Sequence, residues 1–328
     1  MGYPTDSTNL SEFADMIDQY GGSVDSQFAK TSRMREFFAI NNITGTDTLV
    51  NSRVGKTTLK ALVPGVRPDA ASTKFGTVAV TVDTVILARD SRSMLNEFQT
   101  HINARMELGI DHGKEIGKFF DEAFLIQGIK AAGYNATAGL QEGTAAPTAN
   151  GGDSYGGSFL AGKSYKLAAP ADELDAADMY AAFEAITQLM EEEDQDLDDM
   201  IIFVRPAQYN ALIKNDFLVD TDFASGNGDR PTNTFKTMLN VRVVKTNRIP
   251  NAVNASHMLG SAYNVSADEA KCVGLIMSPK SLLAGETIPL QSKVWFDDLE
   301  KSWFIDSWLA FGVAPNRADT TGAVYTSA

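Results

Sequence analysis

The stretch LNEFQTHINARMELGIDHGKEIGKFFDEAFL, Leu95 to Leu125, decides how the rest of the chain is read. Leu95, Phe98, Ile102, Met106, Gly109, Gly113, Ile116, Phe120 and Ala123 recur every three or four residues, the spacing that gathers side chains on one helix face. No proline interrupts the pattern, so a helix is predicted from Met94 to Ala132, about 58 Å long at the α-helical rise. One compact core cannot cover a rod of that length. The opposite face carries Glu97, Arg105, Glu107, Asp111, Lys114, Glu115, Lys118, Asp121 and Glu122, which excludes a membrane span. Gly109 and Gly113 lie on the buried stripe, where glycine weakens a helix by about 1 kcal/mol relative to alanine. Their presence there implies that another backbone comes close.

Upstream, residues 1–45 read as an arm with one short helix near Ser11–Tyr20, capped by Ser11 and closed by Gly21 and Gly22. Residues 46–82 alternate like strands, with Val78, Val80 and Val82 interleaved with Thr77, Ala79 and Thr81 beyond a polar turn at Arg67 to Lys74. This predicts a long two-stranded ribbon, marginal alone in water. Arm and ribbon both need a surface to lie on, and another subunit is the expected one. Arg53, Lys56, Lys60 and Arg67 make the ribbon basic on an acidic chain, which suits docking onto a neighbour of the same kind.

Downstream, a glycine-rich run from Gly133 to Gly162 reads as a loop. A helix from Ala176 to about Glu193, the strand MIIFVRP, a short helix from Ala207 to Lys214 and the strand VRVVKT then build an α+β domain over residues 134–285. Residues 286–328 return as strands, Lys293–Phe296 and Ser302–Val313, around a turn at Asp297–Lys301. Trp295, Trp303, Phe304, Trp308 and Phe311 are expected to form one sheet face on the long helix.

With 328 residues the chain can bury one large core or two smaller ones. A net charge of -14 sets its surface against nucleic acid. Cys272 is the single cysteine, so no disulfide closes within the chain, and its apolar run predicts a buried, inert thiol. No charged-then-apolar leader opens the sequence and no stretch has the length and apolarity of a membrane helix.

The motifs that carry chemistry are weak. Val54 to Thr58, VGKTT, resembles the end of a phosphate-binding loop, but the glycine required five residues before Gly55 is Val50, and the pattern continues as strand. A nucleotide-dependent enzyme using this segment is one alternative reading. The acidic run from Glu191 to Asp199 fails as a calcium loop, since Asp199 and Arg205 stand where glycine and glutamate are needed, and reads as a solvated helix end. His101, His112 and His257 have no metal-binding spacing, and the first two read as helix-surface residues. No catalytic, cofactor or metal residue is assigned, and the chain is not expected to be an enzyme.

Taken in order, KALVPGVRPDA (Lys60–Ala70), the Leu95–Leu125 helix, IIFVRPAQYNALI (Ile201–Ile213), LNVRVVKTNRIP (Leu239–Pro250) and GVAPNRADTTGAVY (Gly312–Tyr325) resemble a tailed-bacteriophage major capsid protein of the HK-ninety-seven-type fold, nearest to short-tailed, T-seven-like phages. The resemblance covers most of the chain. It implies an α+β fold with an amino-terminal arm (1–45), an extended β-hairpin loop (46–82), a peripheral domain with the spine helix (83–133, completed by 286–328) and an axial domain (134–285). It also implies self-assembly into hexamers and pentamers of an icosahedral head around double-stranded DNA. A portal protein and a decoration protein would be partners, and a scaffolding protein would be separate, because no long segment precedes the arm. The shell would be assembled in the host bacterial cytoplasm, with no membrane and no cofactor. A cellular nanocompartment shell of the same fold is the other alternative.

Overall fold

A computed structural model of the chain describes residues 8–54, 59, 61–62, 64–65, 67, 75–93, 104–133, 139–142, 161–214, 228–229 and 234–327. Its strands are β1 (Ile40–Asn42), β2 (Thr48–Val54), β3 (Phe75–Thr81), β4 (Ile86–Ser93), β5 (Gly139–Glu142), β6 (Lys163–Lys166), β7 (Ile201–Val204), β8 (Gly228–Asp229), β9 (Thr234–Phe235), β10 (Thr237–Met238), β11 (Val241–Lys245), β12 (Cys272–Met277), β13 (Leu282–Asp297), β14 (Ser302–Pro315) and β15 (Thr321–Tyr325). By contacts the chain divides into two units. One holds Met1–Asp47, Val82–Asp121 and Gly285–Gly312; the other holds Thr48–Thr81, Glu122–Ala284 and Val313–Ala328.

In the first unit a helix spans Thr8–Thr31, a short one spans Met34–Phe37, and four strands pair in the order β1-β13-β14-β4. The predicted short helix closed by Gly21 and Gly22 is corrected. The helix runs straight through both glycines, because its face from Tyr20 through Val24 to Phe28 is buried and that packing outweighs the local weakness. The return strand is also longer than Lys293–Phe296: β13 begins at Leu282, and β14 pairs antiparallel with β4, Ser302 opposite Ser93 through Leu309 opposite Ile86.

The expected single aromatic face divides in two, because side chains alternate along a strand. Phe311 meets Phe119 and Phe120 of the long helix, and Trp303 packs beside Val294, Ile305 and Leu108. Phe304 instead stacks on Trp295, with ring centroids 4.7 Å apart.

The long helix spans Ala104–Ala132, and its predicted start at 94–103 lies outside the described residues. It ends at Gly133, whose φ of +69° is the left-handed conformation that terminates helices.

The second unit is built on a mixed seven-stranded sheet in the order β10-β11-β7-β12-β15-β6-β5. β7 runs parallel to β11 and β15 parallel to β6, while β12 is antiparallel to both neighbours. Met179, Phe183, Ile186 and Met190 of the helix Ala176–Glu192 are fully buried on this sheet, each contributing about 1.5–3 kcal/mol relative to exposure. Asp175 caps that helix by accepting from the backbone of Ala177 and Asp178. Gly274 of β12 makes room for the helix: a Cβ there would stand 2.5 Å from the Phe183 ring.

The carboxyl-terminal run TGAVY, grouped above with residues 286–328, does not join the sheet of β13 and β14. As β15 it is an interior strand of this second sheet, between β12 and β6. All five of its residues are buried, which a strand covered on both faces requires. The glycine-rich segment expected as a loop lies mostly outside the described residues, though β5 forms within it and pairs with β6.

Candidate functional site

Glycines open the surface of the long helix that faces the amino-terminal helix. A Cβ on Gly113 would stand 2.5 Å from the Val24 carbonyl oxygen, and one on Gly109 would collide with Ser23 and stand 2.9 Å from the Tyr20 ring. One turn on, a Cβ on Gly117 would meet the Thr31 Cβ at 3.0 Å. Gly117 is a third seat, one that the Gly109 and Gly113 pair does not single out but whose i+4 spacing from Gly113 continues the same face. The surface on which the amino-terminal arm rests is therefore its own chain, and another subunit is not needed for that purpose.

Hydrogen bonds lock the seated helix. The Tyr20 hydroxyl lies 2.9 Å from His112 Nδ1 and 2.6 Å from Ser307 Oγ, and His112 Nε2 lies 2.8 Å from Asp90 Oδ2. A carboxylate can only accept, so His112 Nε2 donates to Asp90, and the Tyr20 hydroxyl bridges Nδ1 and Ser307 Oγ. Burial pushes the Tyr20 hydroxyl up to about 12, against the opposing pull of Ser307. His112 is therefore not a helix-surface residue. It is buried at the meeting of two helices and the sheet, which no spacing within the helix revealed.

Beside this chain of bonds, Asp306 receives Arg89 at 2.7 and 2.8 Å and the Trp295 indole at 3.1 Å. Burial pushes the Asp306 carboxyl up, but the bonds from Arg89 and Trp295 outweigh it and hold the group below the usual carboxylate range. Asp121, read as a solvent-facing charge of the helix, is buried. It accepts from Ser32 Oγ at 2.8 Å and from the backbone of Arg33 and Met34 at 3.0 and 3.2 Å, fixing the chain where it leaves the amino-terminal helix.

The extended ribbon is β2 paired with β3, Thr48 opposite Thr81 through Val54 opposite Phe75. Its base is anchored within its own unit. Val78 and Val80 pack with Leu49, Leu283 and Ala314, and the Asn51 amide donates to Asn316 Oδ1 at 2.9 Å. Arg53 ends in β2, Arg67 is exposed, and Lys56 and Lys60 lie outside the described residues, as does most of VGKTT. Leu59 and Leu62 of the same segment are strongly exposed.

Among the described residues the remaining candidates lie apart from one another. Cys272 is wholly buried and its thiol is pushed up to about 12 by desolvation. Glu193 of the acidic run takes the ammonium of the buried Lys163 at 2.5 Å. Among the described residues no group of three or more potential metal ligands gathers.

No family model matches the sequence. No curated protein matches it either. Solved structures do. The mature capsid of bacteriophage PhiM1 matches with 27% identity and a TM-score of 0.73 over 90% of this chain and 87% of that one. The capsid of the cyanophage P-SCSP1u matches with 16% identity, a TM-score of 0.73 and coverage of 90% and 88%. The chain has the fold of phage capsid proteins. The capsid of a native GTA particle, at 12% identity and a TM-score of 0.59 over 91% of each chain, shares it. The mixed helices and strands are consistent with the HK-ninety-seven-like capsid fold.

Proposed function

We propose that this chain is the major capsid protein of a tailed phage, a structural component of the virion with no catalytic role. The observation that carries the reading is the match to the PhiM1 mature capsid along 90% of the chain at 27% identity. Copies form the hexamers and pentamers of an icosahedral shell of the HK-ninety-seven type, on the plan of short-tailed, T-seven-like phages, around double-stranded DNA. The net charge of -14 supports this, because an inner wall that bound DNA tightly would resist dense, mobile packaging. Scaffolding, portal and decoration proteins complete the particle, which assembles in the host cytoplasm. The ribbon reaches an acidic patch of the adjacent subunit through Arg53, Lys56, Lys60 and Arg67, while Gly109 and Gly113 remain committed to helix packing.

Negative-stain and cryo-electron microscopy of the purified full chain test this. Closed shells with hexameric and pentameric units are expected, and charge reversal at Lys56 and Lys60 should lower their yield and increase their sensitivity to salt. A chain that stays monomeric at every concentration and ionic strength refutes the reading. Shells filled with cellular enzymes would establish a nanocompartment instead.

A further inference from the structure

His112 and His257 are both buried, but their ring nitrogens meet different kinds of partner. With Nε2 of His112 donating to Asp90, its Nδ1 faces the Tyr20 hydroxyl, which donates to a neutral ring and, by turning, accepts from a charged one. His257 has no such freedom. Its Nδ1 lies 3.2 Å from the backbone nitrogen of Leu259, whose N–H only donates, so Nδ1 must offer a lone pair. A proton on Nδ1 replaces that hydrogen bond with two donors facing each other.

The bond lies inside a closed turn of the second unit. Asn254 and Val265 close it by exchanging backbone bonds of 3.1 and 2.8 Å. Within it, the Asn264 side chain accepts from His257 N at 3.0 Å and donates to Ala255 O at 2.8 Å, and Gly260 N donates to His257 O at 3.0 Å. The His257 ring stacks on Tyr263, with centroids 5.4 Å apart. Tyr263 ties the turn to β14, its hydroxyl donating to Val313 O at 2.9 Å and accepting from Val313 N at 2.7 Å.

The charged groups of the surrounding elements are engaged elsewhere. Lys130 of the long helix pairs with Glu269 at 2.8 Å, Lys271 pairs with Asp268 at 3.3 Å, and Arg205 donates to the carbonyl oxygens of Pro250 and Ala270. Burial lowers the His257 pKa from its ordinary value of 6.5, and among the described residues no charge adds to that shift or opposes it. Above 6.5 the ring is neutral whether the turn is closed or open, and the turn keeps its full stability. As pH falls below that value an opened turn takes up the proton first, so the closed form loses ground until the folded pKa is passed and the loss levels off.

We propose that the 254–265 turn is an acid-operated release: protonation of His257 frees the turn, and with it the hold of Tyr263 on β14, while the bonds that seat the amino-terminal helix persist. The inference does not depend on what the chain assembles into.

The test follows hydrogen exchange of the full chain at about pH 7.5 and about pH 5.5, corrected for the intrinsic rate at each pH. The comparison is His257→Asn, whose side-chain oxygen replaces Nδ1 as the acceptor and takes up no proton in this range. Protection of 254–265 should fall by about five- to tenfold at the lower pH in the unaltered chain and stay constant in His257→Asn. Protection of the amino-terminal helix should not follow that difference between the two chains. Equal protection of the turn at both pH values in the unaltered chain, or an equal loss in His257→Asn, overturns the proposal. Should His257→Asn misfold, titration of His257 in the unaltered chain, followed by exchange of its ring C2 proton, decides. A midpoint below 6.5 that coincides with the loss of protection supports the release, and a midpoint at or above 6.5 overturns it.

Discussion

The two units hold together by different means. In the first, the amino-terminal helix meets the long helix through Tyr20, Val24 and Phe28 set against glycines. The small apolar cluster there is crossed by the polar series Asp90, His112, Tyr20 and Ser307. In the second, Phe183, Ile186, Ile202, Val204 and Ile276 belong to one broad apolar core beneath a mixed sheet. Apolar burial is non-directional and scales with area, so such a core fixes composition more firmly than position. Hydrogen bonds tolerate little change in distance or angle, and a glycine facing a backbone oxygen tolerates no added atom. Directional contacts thus set where the amino-terminal helix lies in the first unit, while apolar area chiefly stabilises the sheet of the second.

That contrast can be broken most forcefully in the second unit. Phe183→Ala should cost about 3–5 kcal/mol, read from hydrogen exchange of the β7 and β12 amides; a cost near zero would mean the apolar core is not what holds that sheet. A smaller loss follows from Gly113→Ala in the first unit. Its new Cβ faces the Val24 carbonyl, a backbone atom that cannot rotate away, so a net cost of about 1–2 kcal/mol remains after the gain in helix propensity. Trp295, Trp303 and Trp308 all lie in that unit, so denaturation followed by tryptophan fluorescence measures the change. Full stability in Gly113→Ala would remove the seat from the account.

The smallest effect sharpens the comparison. Tyr20→Phe should cost about 1 kcal/mol at neutral pH. With the folded hydroxyl at about 12 and the free value at 10, the contribution of Tyr20 is fully present below pH 10 and lost as pH rises through 12. The advantage of the unaltered protein over Tyr20→Phe should therefore shrink, then reverse, across that window. A constant difference would show that the hydroxyl is not held as described.

Much of this was legible because period reports local structure. The long helix, the helix at Ala176, the strands Ile201–Val204 and Val241–Lys245 and the ribbon follow from spacing alone. Failures occurred where a side chain's partner is far away in sequence. His112 and Asp121 look like surface positions until Asp90, Tyr20 and Ser32 are brought beside them. Gly21 and Gly22 look like a helix end until the tertiary contacts of Tyr20 through Phe28 are counted. TGAVY is plainly a buried strand, but nothing in five residues says which sheet it enters.

Residue identity and near neighbours are enough to place most of the helices and strands, the acidic character, the apolar faces and, through an ordered set of resemblances, the fold class. The tertiary structure alone decided where the arm rests, which ring the Tyr20 hydroxyl meets, and the place of β15 between β12 and β6. Those outcomes depend on contacts between residues tens to hundreds of positions apart, and competition among such contacts is settled by packing geometry, which local pattern does not encode.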